Sequence, residues 1–517
     1  MLTHHLKSSI HTTAGLRAAT SAANNIISQA NLQSDISKVL FIDDGRKITY
    51  GDFVQRAGQY ATALTEKYKI KKGDRVMARV SKTTDTAALY AACLQIGALY
   101  VPVNPALTQS EAAHYVKDAK PSLWITCKDD ADQIAMFQRV LKTVCIDNPV
   151  EVINEKVLAD EAGKRKACTM IEHVEKSNAA TICFTSGTTG APKGAVLSHG
   201  ALTNNTNALV QEWGFTENDV NLHCLPIFHA HGLYFSLHCS LFSHSSVIWR
   251  PNFDAEDCSK HLKNATVFMG VPTFYSRLLA TNNFNKESFE KIRLFISGSA
   301  PLSVPTLEEF EKRTGQVILE RYGMTEAGVI ASNPLKGKRK AGTVGQALKG
   351  VQCRVTENGE IEIKSDSIFS EYWKNPEKTK EEFTEDGWFK TGDVGSLDKD
   401  GYLTIGGRSK DMIISGGENI YPKEIEDAID SIEFVKESAV IAAPHPDFGE
   451  AVVAVVVPKN MVEDEQKFEE DLIEMLRKKL AKYKVPKKVI LLEELPRNHI
   501  TKVRKDILRA SYNKLFS

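Results

Sequence analysis

The sequence predicts an α/β fold: a large N-terminal domain built on mostly parallel sheets, followed by a small α+β domain. Three observations carry this expectation. Short β-rich runs alternate with helical patterns from about Val39 onward, the 517 residues exceed what a single hydrophobic core supports, and the pattern changes after the glycine-bounded strand Gly401–Gly406. Taken in order, Arg75–Val80 reads as a strand, Thr83–Gly97 as a helix and Ala98–Val103 as the next strand. The rhythm returns at Ser122–Thr126, Ala179–Phe184, Val247–Trp249 and Leu294–Ile296. Strand–helix–strand units close into parallel sheets, and ligands gather beyond the carboxyl ends of such strands. Thr185, Gly298 and Tyr322 fall there. Past Gly406 come strands at Ser438–Ala442 and Ala451–Val457 and an amphipathic helix over about Glu465–Leu480. These divisions predict a leading segment 1–34, a large domain 35–409 and a small domain 410–517.

Composition narrows the function classes. With 42% hydrophobic and 25% charged residues the chain is an ordinary globular protein. Its 65 basic and 65 acidic residues cancel, which gives no support to a nucleic-acid binder. No apolar run is long enough to cross a bilayer, so no integral membrane association is expected. Nine cysteines without C-x-x-C or Cys/His spacing argue against a disulfide framework or a zinc site. The first 34 residues carry Lys7, Arg17 and three histidines but no acid before Asp35. That composition predicts a mitochondrial transit peptide and a matrix enzyme, with an unstructured or helical arm on a cytoplasmic enzyme as the alternative. A monomer or a homodimer is compatible with all of this.

The chemistry centres on Thr185-Ser186-Gly187-Thr188-Thr189-Gly190-Ala191-Pro192-Lys193-Gly194. An apolar strand emptying into glycines, hydroxyls and one lysine describes a phosphate grip, because glycines let backbone N–H groups converge on one anion. It departs from the common P-loop, in which the lysine follows the second glycine directly. Four further blocks follow in order: Arg321-Tyr322-Gly323-Met324-Thr325-Glu326; Gly387-Trp388-Phe389-Lys390-Thr391-Gly392-Asp393; Gly406-Gly407-Arg408-Ser409-Lys410-Asp411 with Gly416-Gly417-Glu418-Asn419; and Pro496-Arg497-Asn498 leading to Lys502.

These blocks together resemble the adenylate-forming enzymes, the superfamily of acyl-CoA synthetases, luciferases and nonribosomal-peptide adenylation domains, over roughly Leu40–Arg509. The resemblance implies a large domain of stacked sheets with a β-barrel-like subdomain, and a mobile C-terminal domain that swings about Lys410. It also implies ATP, CoA and Mg²⁺ as substrates and cofactor. Thiols do not attack carboxylates at useful rates, because the oxygen to be expelled is too basic. Transfer of AMP to the carboxylate supplies a good leaving group. On this reading Thr185, Ser186, Gly187, Thr188, Thr189, Gly190 and Lys193 hold phosphates, and Glu326 with Thr185 binds Mg²⁺. Tyr322, Gly323, Met324 and Thr325 with the turn Gly298-Ser299-Ala300 enclose the adenine. Asp393 takes the ribose hydroxyls, Arg408 the ribose or phosphate, and Lys502 bridges carboxylate and α-phosphate. Gly416 and Gly417 approach the pantetheine. Where the family has glycine before the lysine, this chain has Thr501, a β-branched residue that would be strained at positive φ.

The acyl region is polar: Leu225–Leu233, Gly270–Arg277 and Arg293–Pro301 resemble the malonyl-CoA synthetases. The expected substrate is therefore malonate or methylmalonate. Arg293 is expected to clamp the distal carboxylate, with His229, His231 and Ser297 beside it and Met324 closing a short pocket. His229 is also a catalytic candidate. A synthetase for short or medium monocarboxylic acids, and a luciferase-like adenylate binder without thioester formation, remain as alternatives.

Overall fold

The computed structural model describes residues 24–107, 109–127, 134–135, 138–139, 150–185, 192–281, 284, 289–415, 418–498 and 501–516. Two wide sheets organise the large N-terminal part. In the first, the short strands Val220–His223, Ser246–Trp249, Val267–Gly270, Leu294–Ser297 and Leu319–Met324 run parallel. Val267–Gly270 and Leu294–Ser297 are buried throughout, as parallel strands covered on both faces must be. Gly270 pairs with Ser297 and Ser297 with Glu320, so the carboxyl ends of three strands lie side by side. Leu319–Met324 alone runs on past them, through Arg321 and Tyr322.

The second sheet places Leu99–Pro102, Arg75–Arg79 and Leu123–Thr126 in parallel, beside the hairpin of Ala179–Thr185 and Lys193–Ser198. Thr185 faces Lys193 across that hairpin, and the two-residue strand Glu371–Tyr372 adds to its far side. The helix expected after Ser81 is Thr84–Gln95, opened by the reciprocal cap of Thr83 and Thr86 and closed before Gly97 at φ +68°. One continuous apolar core fills the space between the sheets and their helices.

Where a barrel-like subdomain was expected, a four-stranded antiparallel sheet stands: Val351–Val355, Glu360–Ser365, Phe389–Leu397 and Leu403–Arg408. Its register sets Asp393 opposite Arg408. Beyond it, Ile413–Ser415, Glu418–Ile420, Gly449–Pro458, Val435–His445 and Lys488–Leu491 form a five-stranded sheet with cores of their own. The amphipathic helix read at Glu465–Leu480 is Glu465–Arg477, capped by Asp464. Among the described residues, no helix is long and apolar enough to cross a membrane.

The leading segment differs from expectation. Residues 1–23 lie outside the described residues, but from Asn25 the chain is folded: Ile26, Ala30 and Leu32 are buried, and the Asn25 amide donates to Leu94 O at 2.9 Å. These three apolar residues are spaced among Ser, Asn and Gln, so composition conceals them.

Candidate functional site

At the nucleotide end, Thr185 and Lys193 hold the two mouths of the glycine-rich loop. Ser186, Gly187, Thr188, Thr189 and Gly190 lie outside the described residues, as do Gly416 and Gly417. The Lys193 ammonium stands 5.3 Å from the centre of the Tyr372 ring. The Tyr372 hydroxyl in turn donates to Glu326 Oε1 at 3.0 Å. Burial raises the Glu326 carboxyl above its ordinary range, a state in which a cation would restore its charge. A buried carboxylate oxygen suits Mg²⁺, which takes one or two protein carboxylates and fills its remaining positions with water and phosphate oxygens. Among the described residues no cluster of three or more His, Cys, Asp or Glu offers a complete protein cage.

Asp393, expected at the ribose, is held from two sides. It is 4% exposed, accepts from the Tyr322 hydroxyl at 2.5 Å and pairs with Arg408 Nε at 2.9 Å. Burial raises the Asp393 carboxyl, and the facing guanidinium opposes that rise. The Tyr322 ring is thereby fixed at the end of its strand. Lys410 sits in the single turn Ser409–Asp411 between the four-stranded and the five-stranded sheet, and Asp411 is tied to Arg509 of the last helix at 2.7 Å.

Lys502 is brought to this same place. Burial, aided by repulsion from Arg408, pushes its ammonium down to about 8, while Asp393 and Asp411 pull the other way. The loop before it is tight: Asn498 Oδ1 accepts from Lys502 N at 2.9 Å, and Arg497 Nη1 donates to Thr501 O at 2.6 Å. Thr501 has φ +64°, the left-handed conformation that its β-branch disfavours. Its hydroxyl accepts from the Thr273 hydroxyl at 3.2 Å, docking the C-terminal loop on the large domain. Left-handed backbone costs a non-glycine residue about 1–2 kcal/mol, and the greater freedom of glycine offsets about 0.5–1 kcal/mol of the relief. Thr501→Gly is therefore expected to raise the rate of acyl-adenylate formation about threefold, measured as AMP released in single turnover. An unchanged rate would show that the conformation of this loop does not limit the step.

The acyl end is built by the carboxyl ends of the parallel strands. Ser297 closes its strand, and the turn Gly298-Ser299-Ala300 follows, with Ser299 at φ +70° and its hydroxyl 3.1 Å from His231 Nδ1. His229 Nδ1 accepts from His231 N at 3.3 Å. Burial holds His231 neutral, well below the ordinary imidazole range. Met324 is half-buried at the end of its strand. Ser297 Oγ and His231 Nε2 are buried without a hydrogen-bond partner.

Arg293 is not part of this site. It precedes Leu294, at the amino end of a four-residue strand whose carboxyl end is Ser297, about 13 Å away at the rise of a strand. Its three nitrogens are all engaged: Nε and Nη2 grip Asp219 at 2.7 and 2.8 Å, Nη1 donates to Trp213 O at 3.0 Å, and Nη2 also reaches Gly214 O at 2.9 Å. The expected clamp is a structural ion pair.

Two residues of the site carried no role in the sequence reading. Tyr372 belongs to no block, and nothing short of the sheet pairing places it against Glu326. Arg321 opens the Arg-Tyr-Gly-Met-Thr-Glu block and is 4% exposed; its Nε and Nη2 have no hydrogen-bond partner. Burial pushes its guanidinium down to about 9. Next to it on the same strand Glu320 is buried too, raised to about 7 by burial and opposed by Lys423 of the small domain.

Family models agree with this layout. The model for the AMP-binding enzyme matches residues 28–373, and that for the AMP-binding enzyme C-terminal domain matches 424–502. This chain belongs to the AMP-binding enzyme family. Among its relatives is a malonate–CoA ligase of Arabidopsis thaliana, 33% identical over 90% of this chain and 85% of the relative. An indoleacetate–CoA ligase of Aromatoleum aromaticum is 34% identical over 81% and 84%. The ATP-bound structure of MatB from Rhodopseudomonas palustris is 41% identical, covers 96% of this chain and 100% of its own, and superposes with a TM-score of 0.90. Its apo form superposes at 0.80. This AMP-binding enzyme thus superposes better on the ATP-bound form of that relative than on its apo form, and its own C-terminal loop is docked on Thr273.

Proposed function

We propose that this AMP-binding enzyme is an ATP-dependent malonate–CoA ligase. A carboxylate oxygen of malonate attacks the α-phosphate of ATP, the bond to the β-phosphate breaks, and pyrophosphate departs. The CoA thiol, losing its proton, then attacks the acyl carbon of the adenylate, and AMP leaves as malonyl-CoA forms. Lys502 spans the reacting carboxylate and the α-phosphate; Thr185 and Lys193 face the outer phosphates; Asp393 and Tyr322 hold the nucleoside. Mg²⁺, held by Glu326 and Thr185, would neutralise phosphate charge. The small domain turns about Lys410, a position bracketed by the two family models, and so exchanges Lys502 for the face that admits the thiol.

One observation carries the choice of acid. The acyl end terminates in buried polar atoms, with Ser297 Oγ and His231 Nε2 unpaired, where an alkyl tail would leave them unsatisfied. Sequence identity does not make this choice, since ligases named for malonate and for indoleacetate stand at 33% and 34%. The test is thioester and AMP formation by the full chain with ATP, Mg²⁺, CoA and a panel of malonate, methylmalonate, succinate, acetate, butyrate and octanoate. Malonate is expected to exceed acetate and octanoate in kcat/KM by about 100-fold or more, the discrimination a pocket gains by hydrogen-bonding a substrate group. Preference for octanoate would make the protein a medium-chain acyl-CoA synthetase instead.

A further inference from the structure

Residues 369–373 stitch together two pieces of the chain that belong to different wide sheets and meet at the nucleotide end. On one side Ser370 N donates to Val196 O at 2.8 Å, Trp373 N donates to Gly194 O at 2.7 Å, and Tyr372 pairs with Ala195. The segment is thereby fastened to the hairpin arm that begins at Lys193. On the other side Phe369 N donates to Glu326 O at 2.6 Å, which fastens it to the short turn between Leu319–Met324 and Gly328–Ser332.

Tyr372 makes the same junction with its side chain. The Lys193 ammonium lies over the ring, 5.3 Å from its centre, and the hydroxyl donates to Glu326 Oε1 at 3.0 Å. The ring also packs on Phe369 at 4.7 Å between centroids, and Phe369 in turn packs on Phe383 and Phe389. Packing explains an aromatic ring here but not a hydroxyl. Phenylalanine would fill the same space, and a buried hydroxyl is costly unless it is bonded. Tyr372 is 5% exposed and Glu326 6%, so this bond is made where water does not replace it. A phenol is protonated at neutral pH and so donates to a carboxylate. Hydrogen bonds of this kind are what fix the direction of a carboxylate that ligates a metal.

We propose that Tyr372 is the positioning residue of the metal site: its hydroxyl aims the Glu326 carboxylate at the Mg²⁺ that accompanies ATP, while its ring seats Lys193 beside the same phosphates. This rests on the Mg²⁺ role given to Glu326 above, and it holds whichever acid the enzyme activates. Because one side chain touches both groups, the spacing between the metal carboxylate and the phosphate lysine is set before the nucleotide arrives.

The test measures the dissociation constant of ATP by calorimetry, without acid or CoA, in excess Mg²⁺ and again in EDTA. The proteins are the full-length wild type, Tyr372→Phe and Glu326→Gln, and the ratio of the two constants is the strengthening that the metal supplies. Phenylalanine keeps the ring and the seat of Lys193 and removes only the hydroxyl. Its ATP affinity in EDTA is expected to stay within threefold of the wild type, which also reports that the variant is folded. The strengthening by Mg²⁺ is expected to fall about tenfold or more, the loss that follows removal of a hydrogen-bond partner from a metal ligand. Unaltered strengthening, including an affinity reduced by the same factor in both media, would overturn the positioning role and leave the metal assignment standing. A wild type whose ATP affinity Mg²⁺ does not raise, or a Glu326→Gln variant that keeps the full strengthening, would overturn both. Should the phenylalanine variant not bind ATP in EDTA, Tyr372→Met decides by the same ratio: a tenfold fall supports the role, and an unaltered ratio overturns it.

Discussion

Lys502→Ala is expected to lower acyl-adenylate formation by at least about 100-fold, the range seen when one preorganised donor to a developing charge is removed. Conversion of a supplied malonyl adenylate to malonyl-CoA should remain near the wild-type rate, because that step uses the other face of the small domain. The separation of the two half-reactions is what identifies the lysine as an adenylation residue rather than a general prop; equal losses in both would sink the assignment. The wild type carries a pH signature of the same group. Lys502 acts as an ammonium, and its pKa is lowered to about 8, so the charge is complete below that pH and is lost as pH rises through it. The kcat/KM of adenylation, which reports groups of the free enzyme, is expected to decline above about pH 8. A rate that stays level to pH 9.5 would contradict the assigned protonation state.

Arg293→Ala is expected to cost stability and leave specificity alone. The substitution strands Asp219, whose side chain is 4% exposed and whose remaining partners are Thr216 and Thr266. Breaking one side of such a buried pair costs about 3 kcal/mol. The denaturant midpoint should fall with little change in slope, and the malonate-to-butyrate ratio of the variant, assayed at low temperature, should match the wild type. A collapse of that ratio at wild-type stability would return Arg293 to the acyl site.

The contrast between the two arginines shows where sequence reading reaches its limit. Strands, the helices Thr84–Gln95 and Glu465–Arg477, and the ordered blocks are local patterns, and they stand where periodicity and capping put them. Arg293 and Arg321 each lie beside a strand end in the chain, but one precedes its strand and the other extends past its neighbour's end. Only the register of Ser297 with Glu320 separates them, and register is a tertiary property. Thr501 was legible for the opposite reason: the glycine it replaces announces a dihedral requirement, and φ +64° meets it. Tyr372 and the folded segment from Asn25 were hidden because a two-residue strand and three scattered apolar residues carry too little pattern to stand out.

The strand Leu319–Met324 has a consequence for how such an enzyme can be re-engineered. Within three consecutive positions it faces Lys423 of the small domain through Glu320, buries an unpaired guanidinium at Arg321 and holds Asp393 through Tyr322. A library that randomises this strand to change the accepted acid will mostly disrupt domain closure and ATP use along with selectivity. Varying Ser297 and Gly298 together with position 321, while Glu320 and Tyr322 are held, confines the search to one face of the strand and the turn packed on it.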